Sequence, residues 1–259
     1  MAQAPFWREG IEAAVSLSFD DARLSQADLA LPLLREYAVR ATFYIEITQA
    51  QQRLEAWQQA VRDGHEIGNH TVNHPCSINH PWAKHHLENY TLGMMEWELV
   101  EANRLIEQTL GVRPTTFAYP CGQTFVGRGV NRQSYVPLVA RYFDVGRGYL
   151  WTTDADPQRC DLACVPTREL DCCSWPQVQQ WLDHARKHHR WLIFVAHEVG
   201  HEDRRQTAQL DVLRRLCEYC LDSRHGIWLD TVAAVGRSIA QSRSDPASRS
   251  EVSVHSSPS

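Results

Sequence analysis

Short apolar runs of strand-forming residues alternate with helical stretches along almost the whole 259-residue chain, and this alternation dictates the fold class. Strands are expected at residues 13–19, 41–47, 66–68, 116–119, 143–146, 163–166, 191–196 and 227–229. Helical patterning covers 25–38, 51–62, 89–110, 176–188, 207–221 and 231–240. Within 89–110 the residues Leu92, Met95, Leu99, Ala102, Leu105, Ile106 and Leu110 recur at helical spacing, with Gly111 placed to stop the helix and Pro114 just beyond. Strands separated by helices or long crossovers imply a parallel sheet. Seven or eight such units in one chain predict an α/β, TIM-like (β/α) barrel. No repeat or linker divides the pattern, so residues 1–240 are expected as one domain. The Ser-rich stretch 241–259 reads as a disordered tail.

Charge and composition narrow the possible functions. Lys plus Arg number 26 against 31 Asp plus Glu, a formal charge of −5, which argues against a general nucleic-acid or anionic-membrane binder. No apolar run approaches the ~20 residues that cross a bilayer. The start, Met-Ala-Gln-Ala-Pro-Phe-Trp-Arg-Glu-Gly, has no basic segment followed by an apolar one, so a cytoplasmic protein is expected. In such a protein the eight cysteines are not expected to form a disulfide framework. Cys217-Glu-Tyr-Cys220 reads as two small residues on a buried helix face, and Cys172-Cys173 has no partner at metal-site spacing. The 13 His and 9 Trp are the unusual counts, and the histidines raise the prospect of metal or acid–base chemistry.

In a (β/α) barrel the reacting groups stand at the C-terminal ends of strands. Those ends carry Ser18-Phe19-Asp20-Asp21, then His70-Thr71-Val72-Asn73-His74, then Tyr119-Pro120-Cys121-Gly122, and finally His197. One Asp and two neutral imidazoles make a facial set for a divalent ion that leaves positions open for water and substrate. Spacing alone does not choose the ligands, because His70/His74, His184/His188 and His197/His201 are all H-x-x-x-H pairs. Context does: His184, His188 and His189 lie in a basic helix that reads as solvated, whereas His70/His74 follows a strand. His197-Glu198-Val199-Gly200-His201 also matches the H-E-x-x-H pattern of zinc peptidases. That chemistry needs one helix, and here a buried-strand composition precedes the motif, Gly200 weakens a helix, and only Glu218 offers a third ligand.

Together the four motifs resemble those of the polysaccharide deacetylase family, carbohydrate esterase family 4. Ser18-Phe19-Asp20-Asp21 is similar to its T-F-D-D motif and His70-Thr71-Val72-Asn73-His74 to its H-[S/T]-x-x-H motif. Ala118-Tyr119-Pro120-Cys121 stands where the family has R-x-P-Y, and Val195-Ala196-His197 where it has L-x-H. The resemblance runs from about residue 13 to 230. It implies a distorted (β/α) barrel with fewer complete units than eight, and a metal-dependent hydrolase that removes acetyl groups from an N- or O-acetylated carbohydrate. On this reading Asp21, His70 and His74 hold the metal, usually Zn2+, with Co2+ or Fe2+ able to serve. Asp20 is the general base for the attacking water, the backbone N–H of Cys121 helps hold the oxyanion, and His197 is the general acid.

Departures from the family pattern put the substrate in question. Ala118 replaces the Arg that pairs with the base, and Arg128 and Arg168 are the nearby substitutes. Cys121 replaces a Tyr, and Val195 a Leu. Glu169 and Asp171 are the candidates for the acid that orients the catalytic His. Trp82 and Trp151, both beyond strand ends, are placed to stack on a sugar ring, with Tyr119 a further substrate-contact candidate. The alternatives are hydrolysis of a small non-sugar amide or cyclic amide at the same centre, as in allantoinase-like relatives, an H-E-x-x-H peptidase, or a non-catalytic carbohydrate binder.

Overall fold

The computed structural model describes residues 6–148, 153–202 and 204–245. The first strand, β1 (Ala13–Asp20), is buried along its whole length, as a strand covered on both faces must be. Its two serines are absorbed locally: Ser18 Oγ donates to Phe194 O at 2.7 Å, and Ser16 Oγ accepts from Trp191 Nε1 at 3.1 Å. Around β1 the chain adds β2 (Thr42–Ile45), β3 (Glu66–Asn69), β4 (Thr116–Ala118), β5 (Val145–Arg147), β6 (Arg168–Glu169) and β7 (Trp191–Ala196). All of these pair in parallel, in the order β5-β4-β3-β2-β1-β7-β6. A short parallel pair follows, β8 (Glu198–Gly200) with β9 (Thr207–Gln209). The last strand, β10 (Ile227–Leu229), pairs the first half of β1 while β2 pairs its second half.

The sheet therefore curls into the distorted, incomplete (β/α) barrel that the strand–helix alternation and the family resemblance lead one to expect. Its two edges meet in the segment 165–169. Val165 N donates to Gly146 O at 2.7 Å on one side, and Leu170 N donates to Val195 O at 2.8 Å on the other. Gly146 is required at this junction, because a Cβ there would lie 2.1 Å from Ala163 O. The strand expected at 163–166 is thus reduced to one isolated rung, Arg147 with Val165, and the regular pairing moves on to β6.

The helices are α1 (Leu31–Glu36), α2 (Leu54–Arg62), α3 (Leu92–Leu110), α4 (Val136–Tyr142), α5 (Trp175–Lys187), α6 (Leu210–Leu221) and α7 (Val232–Ser244), besides shorter turns. Thr91 caps α3 by accepting from Met94 N, and Gly111 ends it with φ 72°, in the left-handed region that favours glycine. Apolar faces of the helices close over the sheet. Phe19 stacks on Phe43 at 5.0 Å, and Phe43 meets Trp57 edge-on at 5.3 Å, all three fully buried.

Four expectations change. The helix expected over 25–38 opens with a π-helical turn, Gln26–Ala30, before α1. The stretch 207–209, expected to be helical, pairs as β9 ahead of α6. Residues 241–244, expected in the tail, continue α7, and 246–259 lie outside the described residues. Finally, Cys76 and Cys121, 45 residues apart, form a disulfide. Cys217 and Cys220 are free and buried on α6 as expected. Among the described residues no helix is long and apolar enough to cross a membrane.

Candidate active site

Strand ends from around the barrel open into one cavity of about 870 Å³, lined by Asp20, Asp21, His70, His74, Cys121 and His197 among others. Its geometry starts at the end of β1, where Asp21 and Ala22 both take positive φ, 75° and 54°. That turn sends the two neighbouring carboxylates in different directions. Asp21 Oδ1 is buried without a hydrogen-bond partner and lies 3.4 Å from His70 Nε2 and 3.6 Å from His74 Nε2. Its other oxygen accepts from Arg23 at 2.8 Å. Burial opposes ionisation of Asp21, yet the close approach of His70, with His74 and the Arg23 guanidinium beside it, holds it well below the usual carboxylate range.

His70 Nδ1 donates to Ala118 O at 2.9 Å, which leaves Nε2 facing Asp21. Burial pushes His74 down to about 4, so this imidazole is neutral at physiological pH. An orphaned carboxylate oxygen and two imidazole nitrogens, all within 4.8 Å of one another, are the donors a divalent ion takes, and the fit is good.

The loop carrying the two histidines is clamped from behind. Glu98 of α3, itself buried, accepts from Val72 N, Asn73 N, Asn73 Nδ2 and Tyr90 OH, at 2.7–3.0 Å. Asn69 Oδ1 accepts from Thr71 N, and Thr71 Oγ1 accepts from His74 N. These bonds support a loop in which Thr71 and His74 both have positive φ, 66° and 45°.

Asp20 faces the other way, onto Arg147 at the end of β5. Both its oxygens lie 2.5 Å from Arg147 Nη2, and the guanidinium is fully buried. Across the cavity, His197 at the end of β7 is bound twice by Asp171, whose Oδ2 lies 2.6 Å from Nδ1 and whose Oδ1 accepts the backbone N–H at 3.1 Å. Burial would lower the His197 pKa, but the Asp171 hydrogen bond and the Asp20 charge outweigh it and raise the value. The π-helical turn adds a brace: buried Gln26 Nε2 donates to Asp20 O and to His197 O, tying the ends of β1 and β7 together.

Several expected partners change here. Arg128 and Arg168 do not reach Asp20. Arg128 lies near Asn89 at 3.4 Å and Arg168 is paired with Asp154 at 2.7 Å, while Arg147 takes the role the sequence left open. Its signal was available, since Arg147 directly follows the strand expected at 143–146. Of the two candidate acids, Asp171 and not Glu169 holds His197. Tyr119 is withdrawn from the cavity: its ring packs between Phe117 and Tyr135, and its hydroxyl donates to Ala163 O. Trp82 does line the cavity, 54% exposed, beside His80 at 5.2 Å, and Trp151 lies outside the described residues. The peptidase geometry is absent, because Glu198–Gly200 is a strand and His201 is exposed. His184, read as solvated, is half-exposed and pairs with Asp154 at 2.9 Å. Glu98 and Gln26 escaped the sequence reading because each looks like an ordinary polar residue in a helical stretch.

The curled parallel barrel thus carries an acidic pair and a histidine pair together at its strand ends. Residues 8–132 match the polysaccharide deacetylase family. It is 37% identical over 141 residues to the uncharacterized protein YlxY of Bacillus subtilis, covering 54% of this chain and 38% of that protein. It is 38% identical over 69 residues to a peptidoglycan-N-acetylglucosamine deacetylase of Bacillus cereus, covering 26% of this chain and 32% of that one. Both matches thus span well under half of the relative's length. A structure from Mycobacterium smegmatis, solved as a candidate polysaccharide deacetylase, superposes with a TM-score of 0.65 at 15% identity, covering 93% of this chain and 94% of that one. At that identity the likeness concerns the fold. The family match ends before Arg147, Asp171 and His197, so these three rest on geometry.

Proposed function

We propose that the chain is a metal-dependent hydrolase that removes acetyl groups from an N- or O-acetylated carbohydrate. The observation that carries this reading is the meeting of three separately held groups in one cavity: the Asp21/His70/His74 donor set, Asp20 on Arg147, and His197 on Asp171. A divalent ion held by Asp21, His70 and His74, Zn2+ first and Co2+ or Fe2+ also suited, supplies Lewis-acid chemistry and makes water acidic enough to ionise near neutral pH.

The chain's own groups do the rest. Asp20 accepts the proton of the attacking water, and Arg147 holds its carboxylate in place. The backbone N–H of Cys121, a cavity residue at φ 54°, helps hold the developing oxyanion. His197 protonates the departing sugar nitrogen or oxygen, and Asp171 fixes Nδ1 as the inner nitrogen so that Nε2 faces the substrate. Trp82, beside His80 at the cavity, offers a ring face for a pyranose. The B. cereus relative, an N-acetylglucosamine deacetylase by its name, supports the substrate class.

Acetate release from acetylated oligosaccharides tests the reading in three proteins. The wild type and Glu198→Ala release acetate, and Asp20→Asn loses it by 10²-fold or more, the upper range of a lost general base (~10²–10⁴). Turnover of a simple amide, with no acetate from any glycan, would overturn the substrate class. Activity in Asp20→Asn but not in Glu198→Ala would overturn the site.

A further inference from the structure

His74 has a second nitrogen, and it faces sulfur. While Nε2 points at Asp21, Nδ1 lies 3.6 Å from Cys76 Sγ, and His74, Cys76 and Cys121 offer three ligand atoms within 4.8 Å of one another. In the oxidised protein the two sulfurs are bonded to each other and cannot take a metal. We propose that reduction of Cys76–Cys121 opens a second, thiolate-rich metal site beside the first, for a soft or borderline cation such as Zn2+, with the His74 imidazole shared between the two.

The geometry suits such a site. In a tetrahedral zinc centre with Zn–N about 2.0 Å and Zn–S about 2.3 Å, the two donor atoms stand about 3.5 Å apart, close to the His74–Cys76 separation. Cys76 is fully buried and anchored on both sides, its N–H donating to His85 O and its carbonyl accepting from Leu87 N. Cys121 lines the open cavity and supplies the way in. Two thiolates and one imidazole make three of the four ligands of a closed zinc site, and water completes it.

The redox step balances with a dithiol as reductant. It gives two electrons and two protons to the Cys76–Cys121 bond and closes to its own disulfide. The incoming divalent cation then displaces both thiol protons and, with Nε2 already on the first ion, the Nδ1 proton of His74, all three passing to solvent. Occupancy draws charge from the shared imidazole and pulls on the Cys121 backbone, so it couples redox state to the site of the proposed deacetylase. That coupling rests on the proposed function; the binding itself does not.

Metal content after dialysis against zinc alone, and then the spectrum with Co2+ in its place, test the proposal. Both use oxidised protein and protein reduced by a tertiary phosphine, which becomes its oxide as water supplies the oxygen and two protons. The expected result is one zinc per chain oxidised and two reduced. A sulfur-to-cobalt charge-transfer band should appear only on reduction, because Cys160, Cys164, Cys172, Cys173, Cys217 and Cys220 are free in both states. Cys121→Ser stays at one zinc under reductant. Asp21→Asn with His70→Ala binds none oxidised and one reduced, which separates the two sites. Reduced wild type that stays at one zinc without the band would overturn the proposal, as would an unchanged band in Cys76→Ser/Cys121→Ser. Wild type that binds no zinc when oxidised would instead count against the catalytic centre.

Discussion

Arg147 and Asp171 show how single residues set the chemistry of their neighbours. Arg147 is fully buried and meets both oxygens of Asp20, so Arg147→Ala leaves a carboxylate buried without its counter-charge. Breaking such a pair costs about 3–5 kcal/mol, and urea unfolding of the variant should show a loss of that size. A change under ~1 kcal/mol would mean that the pair is solvated and the account of Asp20 wrong. Asp171 acts on His197 through its pKa. A general acid must be protonated, so the rate is full below the His197 pKa and falls as pH rises through it. Asp171 is among the groups that raise that value against burial. Asp171→Asn therefore moves the alkaline limb of kcat/KM to lower pH. A limb that stays in place, or moves upward, would contradict the pairing.

Among the elements, α3 illustrates how a helix far from the chemistry supports it. Its apolar stripe, Met95, Leu99, Ala102 and Ile106, is buried, and the same face sends Glu98 under the His70–His74 loop. Glu98→Ala leaves four donors unpaired and frees a loop whose backbone is already in sparsely populated conformations. Zinc affinity, read by competition with a chromophoric chelator, should fall by about 10–100-fold while far-UV circular dichroism stays native. Unchanged affinity would mean that the loop holds itself. The helix was legible in the sequence because its period is local and strong, and so were Asp20, Asp21, His70, His74 and His197, which stand at strand ends. Arg147 and Asp171 were harder to see. Their partners are decided by how the sheet closes through 165–169, and that closure shifts two strands by a few residues from where composition places them. Glu98 depends on a loop–helix contact that no periodicity encodes.

Across the whole molecule the same logic holds at longer range. The alternation of strands and helices identified the barrel, because parallel pairing follows from connection length alone. The disulfide between Cys76 and Cys121 could not be read this way: it joins the histidine loop to the loop after β4, which meet only once β3 and β4 are paired. The chain's charge of −5 says little about the cavity, whose mouth carries Arg23, Lys84 and Arg205 as well as Glu46, a carboxyl that burial pushes up to about 7. What unites these features is the single centre proposed here for an ion and a proton relay. The measurement that tests this most directly is acetate release from an acetylated oligosaccharide by zinc-loaded protein, chelator-stripped protein and stripped protein given zinc again. The account predicts activity, its loss, and its return, with His74→Ala inactive throughout. Undiminished acetate release from the stripped protein or from His74→Ala would contradict it.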